Sequence, residues 1–350
     1  MSRRTLTLLL SSVLALGLVL VVAVARVPYV ALAPGPTYNT LGLDDSGKPV
    51  ISVSGHATYD DSGHLNMTTI SVVVPLTLAQ ALRGWIQHDQ AVVPRDVIYP
   101  PGQSADQVRQ QDAADFKASE DSATTAALRY LGVKGTVHVY VDSVQKGAPA
   151  TGLVRPDDEI VAVDGKPVRD AKGLRALIGA RQPGQSVRLQ LVRSGKPVSL
   201  TVGTAATTDK DGTVRPIIGV QTSERVDFPV KVTISLSDIG GPSAGLMFAL
   251  GIIDKLEPGS LTHGRFIAGT GTIDDDGMVG PIGGIQQKLI GAHNRGATVF
   301  LVPAANCAEA LSSPPHGLKL VKVASLRGAL SELQKLNSGA ATTPCTKKAA

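Results

Sequence analysis

The sequence has few cysteines, few aromatic side chains and no concentration of charge of one sign. Two cysteines in 350 residues, Cys307 and Cys345, are too few for a disulfide-built scaffold and too few for a cysteine zinc site. The seven histidines fall in neither HxxxH nor HExxH spacing, so no metal and no other cofactor is expected. Aromatics make up 3% of the chain, which leaves no stacking platform for single-stranded nucleic acid. Thirty-four Lys and Arg against 29 Asp and Glu give +5, but the cations are interspersed and form no basic stripe, so a nucleic-acid partner is excluded. What remains is a globular composition, 43% hydrophobic and 18% charged, with room for about two domains and an appendage.

The N-terminus breaks that pattern. Thr5 to Ala25 is 21 residues without a charge. As a helix rising 1.5 Å per residue it spans roughly 30 Å, the thickness of a bilayer core. Arg3 and Arg4 precede it, which puts residues 1–4 in the cytoplasm, 5–25 in the membrane as a single anchor, and the bulk of the chain outside the cell. A cleaved signal peptide ending at Ala23-Val24-Ala25 is the alternative, but the apolar run exceeds the roughly 7–15 residues of such a core. Both readings export the rest of the chain. Export permits a Cys307–Cys345 disulfide, which would tie the Ser/Ala/Thr-rich tail, residues 338–350 and otherwise expected flexible, to the last domain. Two unpaired thiols are the alternative, since sequence gives no distance.

Along the region 27–124, Gly42 to Lys48 fits the first seven places of a phosphate-binding P-loop. Pro49, however, stands where a Ser or Thr must reach magnesium, and two aspartates would repel the phosphates. The same Gly-Lys-Pro-Val string recurs at Gly47, Gly165 and Gly195, as strand turns do. No ATP site is expected. Leu65 to Pro75 alternates like a strand, and Ser104 caps a helical stretch reaching about Leu131. That strand is open to two placements, in a region of its own or in the fold of the last domain, which would make the intervening domain an insertion.

From Thr136 short strands follow one another: Val137–Val141, Glu159–Val163 and Val187–Val192, with Gly173–Ala180 helical in pattern. Strand, small-residue turn, LxxxDxI, strand, xDGxPV, helix, strand resembles a PDZ domain of the bacterial protease-associated kind, over 125–203. The resemblance implies a peptide-binding loop before the first strand, at Leu131-Gly132-Val133. There, backbone N–H groups would hold a C-terminal carboxylate while the peptide adds to the sheet edge. A structural β-domain without ligand is the plainer alternative.

The last third carries the chemistry. Lys231–Leu236 reads as a strand, followed by Gly240-Gly241-Pro242-Ser243-Ala244-Gly245 and the apolar run Leu246–Ile253. Ser243 then stands at the start of a buried helix, where free N–H groups and the positive dipole end favour an oxyanion. A serine nucleophile needs a base. Lys288 is the candidate: it shares the face of Ile285, Leu289 and Ala292 in a helix over 284–294, and burial lowers a lysine's pKa toward neutrality. A lysine snorkelling to water from that face is the plainer alternative. Asp274-Asp275-Asp276-Gly277 reads as a hairpin turn, not a cation site.

Gly241–Gly245, Thr270-Gly271-Thr272-Ile273 and Gly277–Leu289, in this order, resemble the successive motifs of the Lon-type serine–lysine peptidase domain. The resemblance implies Ser243 as nucleophile and Lys288 as general base, within the Gly241-Pro242 turn. It implies Thr270 as the hydroxyl that orients the lysine amine, and Gly284 as the end of the turn presenting the lysine helix. Many members carry an acidic residue where Gly240 stands, and many carry an ATPase that is absent here. The whole resembles the membrane-anchored PDZ–Lon-like proteins of Gram-positive bacteria. It implies an ATP-independent serine endopeptidase acting on flexible or unfolded polypeptides, and assembly as a homo-oligomer, a hexamer by analogy. Two other readings stand beside it. One is an idle membrane scaffold working through its PDZ domain. The other is an α/β-hydrolase using the G-x-S-x-G string with His316. The fold expected is α+β: one transmembrane helix, a PDZ-like β-rich domain, and a Lon-type proteolytic domain over 212–337.

Overall fold

The computed structural model describes residues 3–44, 46–60, 62–86, 89–209, 211–236 and 239–347. The expectations for Met1, Ser2 and the last three residues of the tail lie outside the described residues, as does Asp45 of the P-loop look-alike. The chain divides into two compact units, Met1–Gly132 with Val230–Ala350, and Val133–Pro229.

The first unit opens with α1 (Arg3–Val24), a helix with no buried residue. The strands β1 (Tyr29–Asn39), β2 (Ile51–Ser54) and β3 (His64–Val73) follow, then α2 (Leu78–Ile86), β4 (Ala91–Pro94) and the long helix α3 (Ala105–Tyr130). A reciprocal cap starts α3: Gln107 N–H donates to Ser104 Oγ at 3.1 Å, and Ser104 N–H to Gln107 Oε1 at 2.8 Å. Most of α3 is polar, and its buried stripe includes Phe116, Ser119, Ala123, Ala126 and Ala127.

The second unit is a β-rich fold of its own: β5 (Thr136–Val144), β6 (Glu159–Val163), α4 (Ala171–Gly179), β7 (Ser186–Arg193), β8 (Lys196–Gly203) and β9 (Val220–Asp227). Its antiparallel sheet runs in the order β8-β7-β6-β5-β9. Val187, Leu189 and Leu191 alternate into a core shared with Val139, Val141, Ile160 and Leu174. The compact unit runs past the sequence boundaries at 203 and 212. The eight residues of β9 pair with β5 from Val220↔Val144 to Asp227↔Thr136, so the unit extends to Pro229. At its other end, residues 125–130 are the last turns of α3 and belong to the first unit.

The chain then returns to the first unit with β10 (Lys231–Ile234), α5 (Gly245–Leu256), β11 (Phe266–Gly269), α6 (Ile285–Asn294), β12 (Val299–Pro303), β13 (Lys319–Val323) and α7 (Leu326–Ser338). A six-stranded sheet is ordered β13-β12-β11-β3-β1-β4. β11 is parallel to both β12 and β3, and β3 is antiparallel to β1. β10 pairs with β2, Ile234 opposite Ile51. The strand expected at Leu65–Pro75 is thus a central strand of this sheet, between segments more than 200 positions apart. α5 is buried on almost every side. Each of Leu246, Phe248, Leu250, Ile252 and Ile253 is fully buried and contributes about 1.5–3 kcal/mol relative to exposure.

Cys307 and Cys345 are disulfide-bonded. The segment expected to be a flexible tail is tied elsewhere too. Lys322 N–H donates to Thr343 O at 2.9 Å, and Thr343 N–H to Glu332 Oε2 at 2.7 Å, so the segment follows the edge strand β13.

Candidate active site

Ser243 lies in the tight turn that enters α5, and its main chain is pinned from two directions. From the sheet side, the Ser243 carbonyl accepts hydrogen bonds from Gly271 N–H at 2.8 Å and Thr270 Oγ1 at 2.9 Å. From α3, Ser119 Oγ donates to Pro242 O at 3.0 Å, and the Asp112 carbonyl accepts Gly241 N–H at 2.8 Å. That second brace explains the departure at position 240. A Cβ on Gly240 would lie 2.6 Å from Asp112 Cβ, closer than real Cβ contacts come, so α3 occupies the space an acidic side chain would need. No side chain caps α5 at Ala244, and Leu246 N–H is already bonded to Gly271 O.

Lys288 comes from α6. Gly284 precedes that helix in the left-handed region, φ +66°, which favours glycine, and a Cβ there would have to displace Ile70 Cδ1. Ile285, Leu289 and Ala292 are fully buried, and Lys288 on the same face is 2% exposed. The ammonium does not snorkel. Its Nζ donates to Ser243 Oγ at 2.8 Å and to the main-chain carbonyl of Thr68, on β3, also at 2.8 Å. Loss of hydration on burial pulls its pKa from 10.5 down to about 7. A neutral amine at this distance accepts the serine proton directly.

The structure brings Ser243, Lys288 and Thr270 together within the Gly241-Pro242 turn and the Gly284 cap, but Thr270 has a different task from the one expected. Its hydroxyl bonds the Ser243 carbonyl, and the group that orients the lysine is the Thr68 carbonyl. Thr68 was missed because a main-chain oxygen has no residue type to recognise. The available signal was the strand itself. The Ser243 and Lys288 side chains both open into a cleft of about 530 Å³, walled by Pro36, Tyr38, Ile70, Val72 and Ile239.

Two other sequence features resolve as turns. Asp274 Oδ1 accepts the N–H groups of Asp276 (3.1 Å) and Met278 (2.7 Å) in a hairpin turn. Asp44 Oδ1 accepts those of Ser46 and Lys48, both at 2.8 Å, closing the P-loop look-alike on itself. His316 is exposed, and the group on Ser243 Oγ is an amine, not an imidazole.

The peptide loop expected at Leu131-Gly132-Val133 starts at the end of the first unit. Leu131 caps α3, and the strand that follows, β5, is flanked by β6 and β9, so it offers no free edge to a peptide. The two edge strands are β8 and β9, and the one beside β5 is β9. A groove of about 800 Å³ lies beside it, lined by Leu174, Arg175 and Ile178 of α4 and by Ile218, Gly219 and Val220. The sequence signal for it was Ile217-Ile218-Gly219-Val220, a glycine among branched residues leading into a strand.

Residues 107–204 match the PDZ domain family, and residues 196–333 match the Lon protease (S16) C-terminal proteolytic domain. Lon protease 2 of Herpetosiphon aurantiacus is 34% identical over 96 residues, 27% of this chain and 11% of that protein. The Lon protease of Azorhizobium caulinodans is 30% identical over 170 residues, 48% of this chain and 19% of that protein. The chain spans less than a fifth of the length of either relative. A crystal structure of the PDZ domain of an SdrC-like protein from Listeria monocytogenes covers 24% of this chain and 85% of its own, at 26% identity and a TM-score of 0.22. The chain carries a PDZ domain and a Lon-type proteolytic domain. Thr68 lies outside both matched ranges.

Proposed function

We propose that this chain is a serine endopeptidase that works without ATP, with Ser243 as nucleophile and Lys288 as general base. The observation that carries the reading is the 2.8 Å contact between Lys288 Nζ and Ser243 Oγ, made by an amine whose pKa burial lowers to about 7. In the neutral state the amine takes the Ser243 proton as Oγ attacks the peptide carbonyl. The negative charge that develops on the carbonyl oxygen is met by the main-chain N–H groups of Ser243 and Ala244 at the positive end of α5. The lysine then returns its proton to the leaving amine. Water, deprotonated by the same amine, releases the acyl group and restores Ser243.

The match to the Lon proteolytic domain supports polypeptide substrates, and the groove beside β9 supports recognition of a peptide end added to the sheet. ATP-independence draws support from the P-loop look-alike, which folds as a turn around Asp44. α1 supports a membrane anchor, with residues 27–350 outside the cytoplasm.

The test is hydrolysis of an unfolded protein by the full chain in detergent, without ATP, beside Ser243→Ala and Lys288→Ala. Loss of turnover in both variants is expected. Turnover that survives Lys288→Ala would move the assignment to a hydrolase with another base.

A further inference from the structure

The short helix α2 is amphipathic in the reverse sense for a helix on the surface of a folded unit. Its small residues face inward: Ala81 and Gly84 are buried, and a Cβ on Gly84 would lie 2.6 Å from Val92 Cγ2. Its large apolar residues face outward, with Leu82 42%, Trp85 55% and Ile86 75% exposed. Spaced i, i+3 and i+4, these three form one face. A face of this kind marks a contact with something apolar.

Its position says with what. The N–H of Leu78, the first residue of α2, donates to Ala25 O at 2.8 Å, and Ala25 N–H donates to Val21 O in the last turn of α1. Arg26 and Val27 pair with Thr77 and Leu76. α2 therefore begins where the apolar span ends. α1 itself is 22 residues with a mean hydropathy of 2.7 over its most apolar 18 and no burial, long enough to cross a bilayer. A tryptophan and two aliphatic side chains at that level match the composition of the membrane–water boundary, where an indole keeps its ring in the acyl region and its N–H among the headgroups. The edge of Tyr29 holds the Trp85 ring, with centroids 5.8 Å apart. Two exposed cations, Arg26 and Arg95, lie at the same end, Arg95 N–H bonding to Pro28 O at 3.0 Å.

We propose that the Leu82–Trp85–Ile86 face seats in the lipid interface beside α1, so that the first unit touches the membrane through α2 as well as through its anchor. This rests on the reading of α1 as membrane-spanning.

Trp85 is the only tryptophan, so its fluorescence reports on this face alone. The full chain is reconstituted into phosphatidylcholine–phosphatidylglycerol vesicles carrying nitroxide lipids labelled either near the headgroup or near the bilayer centre, and retention is checked by alkaline carbonate extraction. The expected result is a blue-shifted emission, mostly lost to the shallow nitroxide and less to the deep one. Leu82→Glu with Ile86→Glu, both exposed positions, restores most of it. Carbonate-resistant protein whose Trp85 is not quenched overturns the proposal and leaves the anchor standing. A blue shift without quenching that grows with protein density also overturns it, in favour of a second copy of the chain as the cover. Quenching in protein that carbonate extracts overturns it as well, since the face would then meet lipid without the spanning helix it is placed beside.

Discussion

Lys288 Nζ donates to the carbonyl oxygen of Thr68 across 220 positions of sequence, at the same 2.8 Å that separates it from Ser243 Oγ. The amine is therefore aimed by a strand, while the Ser243 hydroxyl is aimed by a turn. β3 is locked on both sides, antiparallel to β1 and parallel to β11, and Thr68 Oγ1 adds a 3.2 Å bond to Gly269 O.

Activity should rise with pH through about 7 and then level off, because only the neutral amine accepts the serine proton. A profile of kcat/KM against pH that stays flat from 5 to 9 would remove Lys288 from the role of base. Stability carries the same signature. The folded-state pKa lies below the unfolded 10.5, so the unfolded chain holds the extra proton between about 7 and 10.5. The penalty is absent above 10.5, grows as pH falls and is complete below about 7. In a Ser243→Ala background, Lys288→Met should gain stability over the lysine form as pH drops through that window, as read by urea unfolding.

Thr270→Val should lower kcat by about 5–30-fold, the consequence of losing roughly 1–2 kcal/mol of a buried hydrogen bond to the Ser243 carbonyl. The midpoint of the pH profile should stay where it is in the wild type. A shifted midpoint would mean that the threonine acts on the lysine after all.

Gly240→Ala should impair turnover by pushing the nucleophile turn away from α3. Replacing the residue it meets, in the double variant Gly240→Ala with Asp112→Gly, should restore much of the rate, since the collision is with Asp112 Cβ and the carbonyl that holds Gly241 is kept. Absence of rescue would show that the turn tolerates nothing but glycine for another reason.

Replacing Cys307 and Cys345 by alanine opens a loop of 38 residues, for which the chain-entropy relation gives a loss of about 4 kcal/mol. Urea midpoints for the wild type, the variant and the wild type under reductant measure it. Three coincident midpoints would show that the hydrogen bonds of Thr343 hold the segment unaided.

A peptide that adds to β9 should slow amide exchange along Val220–Glu224 and leave Leu131–Val133 unchanged. Protection confined to 131–133 would return the binding site to the loop after α3.

The meeting of Ser243 with Lys288 was legible from residue type: a serine in a Gly-Pro-Ser-Ala-Gly turn and a lysine on an apolar helix face. The helices around them were legible from caps and periodicity. Three features were not. The Thr68 carbonyl has no side-chain signature, and its place depends on pairing with a strand more than 200 positions away. The edge of the second unit depends on which strand is last in the sheet, and β9 lies beyond the segment whose pattern resembled the domain. The brace on Pro242 comes from Ser119, a small polar residue on the buried stripe of a polar helix, where nothing in the pattern marks it.

The division of the first unit into two stretches of chain has a further consequence, for the order in which the protein comes into being. The second unit is contiguous and is complete once Pro229 has been made. β3, with the carbonyl that aims Lys288, is synthesised early, yet it finds its parallel partner only after Phe266–Gly269 appears, and its lysine only after α6. Domains fold as units as the chain emerges, and this one lacks half its sheet until Phe266 to Val323 has been made. A chain that stops before α6 thus holds Ser243 without Lys288, the amine that meets its hydroxyl.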